Sequence, residues 1–105
     1  MTVTDPETAV GWYTRLLGRD PDERPMEGLT EWHLTSTFGV QVWKDTDRAG
    51  RSTMVVDESD LDELADRLNR EGIDHPGIQG ATSSRVLTVT DPDGNTIVFT
   101  APLPT

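Results

Sequence analysis

The stretch Asp91-Pro92-Asp93-Gly94-Asn95-Thr96-Ile97-Val98-Phe99 joins a turn to the start of a strand. Proline fixes one backbone angle and glycine tolerates positive φ, so Asp-Pro-Asp-Gly reads as a tight hairpin turn. On either side, Arg85–Thr90 and Asn95–Ala101 are rich in β-branched and aromatic residues that alternate with polar ones, and both read as strands. The alternation puts Ile97 and Phe99 in a core and turns Thr96, Val98 and Thr100 to the opposite face.

Working outward, residues 60–71 read as a helix. Ser59 or Asp60 caps it, Leu61, Leu64, Ala65 and Leu68 form one apolar stripe, and Gly72 ends it. Ser52–Val56 is a strand leading into that helix, and the polar residues 45–51 read as a linker. Leu29–Thr35 and Gly39–Lys44 are two further strands around Ser36-Thr37-Phe38. Residues 5–18 form the first helix, with Asp5 as N-cap, Pro6 at the first helical position and Gly18 just past the end.

The chain repeats this order. A shift of 52 positions relates Val3-Thr4-Asp5 to Val55-Val56-Asp57, Trp12 to Leu64, Arg15 to Arg67 and Leu16 to Leu68. A shift of 55 then relates Trp32 to Leu87, Leu34 to Val89, Gly39 to Gly94 and Val42 to Ile97. Each half is a strand, a helix and two or three strands, with too little core to stand alone. Pairing the halves covers both apolar faces. The expected fold is α+β: two βαβββ modules forming a curved mixed sheet with helices on its outer face. Residues 1–105 make a single domain, with module one at about 1–46 and module two at about 51–102.

Composition narrows the function. The absence of cysteine excludes disulfides, thiolate nucleophiles and thiolate metal sites. A formal net charge of −10 repels phosphate, which argues against nucleic acid and anionic lipid as partners. No apolar run is long enough for a membrane span, and the N-terminus does not read as a signal peptide, so the expected location is cytoplasmic. Hydrophobic residues make up 33%, few enough that a homodimer burying extra apolar surface is expected.

Two further stretches, Trp12-Tyr13-Thr14-Arg15-Leu16-Leu17-Gly18 and Val56-Asp57, join the hairpin in resembling the vicinal-oxygen-chelate superfamily of glyoxalases, bleomycin-resistance proteins and dioxygenases. The resemblance covers nearly the whole chain. It implies a groove across the sheet and a divalent metal held by His and Glu from the first and last strands of each module. Those metal positions fail here. The last-strand positions are Val98 and, by the repeat, Trp43. The first-strand position of module two falls near Arg51, and its counterpart lies at or before Met1. Valine and tryptophan offer no ligand atom, and an arginine repels a cation, so no metal or other cofactor is expected. A register shifted by two adds only Glu31, on the same face as His33.

Strand alternation then proposes a groove lining of His33, Gln41, Trp43, Arg51, Thr53, Thr88, Thr96 and Val98, with Trp32, Leu34, Val40 and Val42 turned to the core. An aromatic platform with a few hydroxyls, an amide, a cation and an imidazole suits a small-molecule site. Each residue also has a plainer role: Trp43 covers the sheet or a dimer seam, Arg51 is a solvated loop residue, and His33 is an ordinary strand histidine. His33 is the one weak candidate for acid–base catalysis, with no carboxylate clearly placed to orient it. The leading expectation is a metal-independent small-molecule binding or sequestering protein of the bleomycin-resistance type. The alternatives are a glyoxalase-like lyase, isomerase or dioxygenase-type enzyme, and a dimeric interaction module without ligand.

Overall fold

The computed structural model describes residues 1–80 and 82–103. Its elements run β1 (Thr2–Val3), α1 (Pro6–Leu17), β2 (Glu23–Met26), β3 (Leu29–His33), β4 (Gly39–Lys44), β5 (Thr53–Asp57), α2 (Leu61–Arg70), β6 (Gln79–Gly80), β7 (Ser84–Thr90) and β8 (Thr96–Pro102). Each half is a βαβββ module with its own four-stranded mixed sheet, ordered β1-β4-β3-β2 and β5-β8-β7-β6. In both, the first strand lies parallel to the last, and the other pairings are antiparallel.

The helices begin and end where their chemistry dictates. The Asp5 carboxylate accepts from the N–H groups of Glu7 and Thr8, and Asp60 accepts from that of Glu63. Gly18 ends α1 at φ +70°, a left-handed conformation that costs glycine little. Ala9, Trp12, Tyr13 and Leu16 of α1 and Leu61, Leu64 and Leu68 of α2 are buried. They share one continuous core with Trp32, Val42, Leu87, Val89, Ile97 and Phe99 of the sheets. The expected inward residues of β3, β4 and β8 are therefore in the core, which fixes the faces of the whole sheet.

Two strands carry little sequence signal. Glu23-Arg24-Pro25-Met26 is exposed throughout and holds a proline, as an edge strand can. It bulges where it pairs with β3. Gln79–Gly80 is two residues long. The strand expected over Leu29–Thr35 stops at His33, because the N–H groups of Leu34 and Thr35 both turn to the Phe38 carbonyl.

Two clasps join the modules. The first is the Asp91–Asn95 turn. The buried Asp91 carboxylate accepts from the Tyr13 hydroxyl at 2.8 Å, the N–H groups of Asp93 and Asn95 at 2.9 Å, and the Asn95 amide at 2.8 Å. Asn95, fully buried, also donates to the Thr2 carbonyl and accepts from the Ser52 N–H. Asp93 accepts from the backbone and hydroxyl of Thr4. The residues 45–51, expected as a linker, are anchored to the same turn. Gly50 sits at φ +83° so close to it that a β-carbon there would lie 2.3 Å from the Asp93 carbonyl oxygen.

The second clasp is the repeat-related pair Arg15 and Arg67. Arg67 donates to the Leu16 and Arg15 carbonyls at 2.7 and 3.1 Å, and Arg15 donates to the Glu71 carbonyl at 3.0 Å. Each arginine thus serves the carbonyl end of the other module's helix, where a cation also meets the negative end of the dipole. Hydrogen bonds from a charged donor contribute about 1.5–3 kcal/mol when dry, less at this partly exposed site. Arg67→Ala should lower stability by about 1–2 kcal/mol, a fall in Tm of several degrees measurable by differential scanning calorimetry, and Arg67→Lys should recover only part of it.

Candidate functional site

A groove of about 840 Å³ opens on the sheet face away from the helices. Its walls come from β3 and β4, the turn between them, Met1, and the start of β5. In β3 and β4 alternate residues point into it. Trp32, Val40 and Val42 bury themselves under α1, so Glu31, His33, Gln41 and Trp43 are left facing outward. The ladder pairs Glu31 with Gln41 and Leu29 with Trp43, which sets the two polar side chains abreast and the indole beside them. Trp43 is 44% exposed and Phe38 43%, so two aromatic surfaces are presented to solvent at one groove.

Four of the eight expected lining residues come together here: His33, Gln41, Trp43 and Thr53. Thr88, Thr96 and Val98 lie on the second sheet with the expected parity. Thr53 pairs with Thr96, and Val98 sits between Val55 and Thr88, so they continue the face beyond the groove without lining it. Arg51 lies in the exposed loop before β5, outside the groove lining. Strand parity places a side chain on a face; it does not say how far along the sheet the wall extends.

Ten of the groove's lining residues are outside the sequence list, and three of them present side chains of consequence. Met1 and Phe38 lie outside regular alternation, and Glu31 was noted only as sharing the face of His33. Glu31 is the most consequential. Its Oε2 accepts from the Gln41 amide at 2.5 Å, and its Oε1 lies 3.7 Å from His33 Nε2. The carboxylate beside His33 that the sequence left unidentified is therefore Glu31. The far end of β3 is fastened separately, where the Asp22 carboxylate accepts the His33 N–H at 2.6 Å and pairs with Arg19 at 3.0 Å.

That backbone hydrogen bond, aided by the Arg19 charge, holds the Asp22 carboxyl below the usual range. A depressed carboxyl pKa contributes stability above its unfolded value, near 4 in free Asp, and loses it as pH falls through the folded value. Acidification below about pH 4 should release His33 from Asp22, seen as faster exchange of the His33 amide. Asp22→Asn, a neutral acceptor at every pH, should abolish that pH dependence.

The positions at which a vicinal-oxygen-chelate metal would sit do not fit one. Trp43 pairs with Thr2 on β1, and Val98 pairs with Val55 on β5, so neither strand pair offers a donor set to the groove at those places.

Two βαβββ modules, each with its own mixed sheet, and an open groove on the face away from the helices define the class of fold. The sequence profile of the glyoxalase/bleomycin resistance protein/dioxygenase superfamily matches residues 1–99, and the chain belongs to that superfamily. No curated protein matches the sequence. Among solved structures it is similar to a glyoxalase/bleomycin resistance protein from Catenulispora acidiphila, with 28% identity over 99% of this chain and 94% of that one and a TM-score of 0.89. It shares its fold with TnmS3, an antibiotic binding protein from a Streptomyces species, at 21% identity, 98% and 93% coverage and a TM-score of 0.76. It also shares its fold with the oxidase ChaP-H1, at 17% identity, 98% and 93% coverage and a TM-score of 0.76. One fold thus serves binding and catalysis, so function must be argued from the site.

Proposed function

We propose that this chain binds and sequesters a small organic molecule in the groove between Trp43, Gln41 and Thr53, without a metal at the superfamily's metal positions. The observation that carries this reading is the groove itself. Its volume falls within the range of about 300–1,000 Å³ usual for ligand sites, and it combines exposed aromatic surface with a few placed polar groups. TnmS3 lends support as a protein of this fold described as binding an antibiotic.

Charge narrows the ligand class. The chain carries a net charge of −10, Glu31 faces the groove, and no arginine or lysine is among the lining residues. A neutral or cationic aromatic compound fits that field; an anion does not. We further propose that the protein acts in the cytoplasm and as a homodimer, the second copy covering the exposed face around Val55, which is 61% exposed.

The test is a titration of chelator-treated protein with a panel of aromatic natural-product antibiotics, metal-free bleomycin among them, read by tryptophan fluorescence and by native mass spectrometry. At least one compound should bind one per chain with micromolar or tighter affinity. A panel that fails to bind, or that binds only after metal is added, overturns the reading.

A further inference from the structure

Beside the groove, β2 and β3 bring together the one group of three converging metal-ligating side chains among the described residues: Glu23, Glu31 and His33, whose donor atoms all lie within 4.8 Å of one another. We propose that this trio binds a borderline divalent transition-metal cation such as Zn2+ or Co2+. The site is separate from the superfamily's positions on the first and last strands of each module. It adds to the binding reading above and does not depend on it.

Register makes the trio. Glu23 lies directly opposite Glu31 in the antiparallel β2–β3 ladder, and His33 is two residues along the same face. Like charges placed opposite one another destabilise a sheet pair. A neighbouring lysine or arginine would offset this, yet none of the ion pairs among the described residues involves Glu23, and the partner of Glu31 is the imidazole of His33. A cation shared by the two carboxylates would turn that repulsion into attraction.

The distances suit an ion better than a direct contact. His33 Nε2 and Glu31 Oε1 are 3.7 Å apart, too far for a hydrogen bond. Two ligands bound at about 2.0–2.2 Å to one ion stand about 3–3.5 Å apart, so a small rotation of either side chain suffices. The Gln41 amide already holds the other Glu31 oxygen and leaves Oε1 directed at His33, as an outer partner does for a metal-bound carboxylate. One imidazole and two carboxylates favour a borderline transition metal over Mg2+ or Ca2+, which prefer all-oxygen sets. Three protein donors leave coordination positions open towards the groove, for water or for a donor atom of a bound compound.

Chelator-stripped protein titrated with Zn2+ in a calorimeter, and with Co2+ by absorption, should bind one ion per chain. His33→Ala and Glu23→Gln should each weaken binding at least tenfold. Both side chains are exposed, so both variants should keep the parent's circular dichroism spectrum without loss of Tm, Glu23→Gln gaining slightly from the relieved repulsion. Loss of the Co2+ d–d bands in His33→Ala would show that the imidazole is a ligand. Absence of binding below about 100 µM overturns the proposal, and so does binding that both variants leave unchanged, which would place the ion elsewhere on the acidic surface. Because the antibiotic titration is run in chelator, either result leaves the binding reading to stand or fall separately.

Discussion

Asp91→Ala should cost roughly 3–5 kcal/mol, a large part of the total stability expected of a domain this size. The carboxylate is 4% exposed and accepts from four donors. Alanine leaves the Tyr13 hydroxyl, two backbone N–H groups and the Asn95 amide without an acceptor in a site where each unpaired donor costs about 1–3 kcal/mol, less whatever water enters. The damage should spread, because Asn95 also holds Thr2 and Ser52, and the same turn fastens Thr4 through Asp93. Urea denaturation should show a much lower midpoint. Tyr13→Phe isolates one of these bonds and should cost about 1–2 kcal/mol.

Tyr13 adds a pH signature. Burial first, then its bond to Asp91, push its pKa well above the ordinary tyrosine value. A group raised in the folded state contributes stability that is complete below its unfolded pKa, near 10, and is lost as pH rises beyond it. Stability should therefore decline above pH 10 in the parent and more gently in Tyr13→Phe.

Trp43→Ala should weaken ligand binding by about tenfold to a hundredfold while changing folding stability little. Removing an aromatic side chain on which a flat ring stacks costs about 1–3 kcal/mol, which corresponds to that range. The side chain is nearly half exposed in the unliganded chain, so its loss leaves no core cavity. Trp12 and Trp32 are buried, at 8% and 0% exposure, so Trp43 is the expected reporter of binding, although Trp32 also borders the groove. Trp43→Phe should retain most of the affinity but lose the signal. Unchanged affinity in Trp43→Ala would mean that the residue covers the sheet or a dimer seam instead.

The fold was legible because its signals are local. The Asp-Pro-Asp-Gly turn, the caps at Asp5 and Asp60 and the alternation about Trp32, Val42, Ile97 and Phe99 each follow from neighbouring residues. The repeat related Arg15 to Arg67, but only the structure shows that the two helices meet there and that each arginine serves the other's carbonyl end. What stayed hidden was long-range or weakly patterned. Glu23 sits on an exposed, proline-bearing edge strand with no apolar alternation, so its meeting with Glu31 and His33 could not be read. Asp91 and Asn95 look like ordinary turn residues; their burial depends on Tyr13 and Thr2, 78 and 93 positions away. For the site, parity assigned His33, Gln41, Trp43 and Thr53 to the outward face, but the extent of the groove depends on how the two sheets meet, and Thr88, Thr96 and Val98 fall beyond it.

The most direct test of the central claim is a crystal structure of chelator-treated protein soaked with the tightest-binding compound of the antibiotic panel. The account predicts that the compound lies against the Trp43 ring within reach of Gln41 and Thr53, with no metal between it and Trp43 or Val98. A compound seated elsewhere, or held through a metal ion at those strand positions, would contradict it.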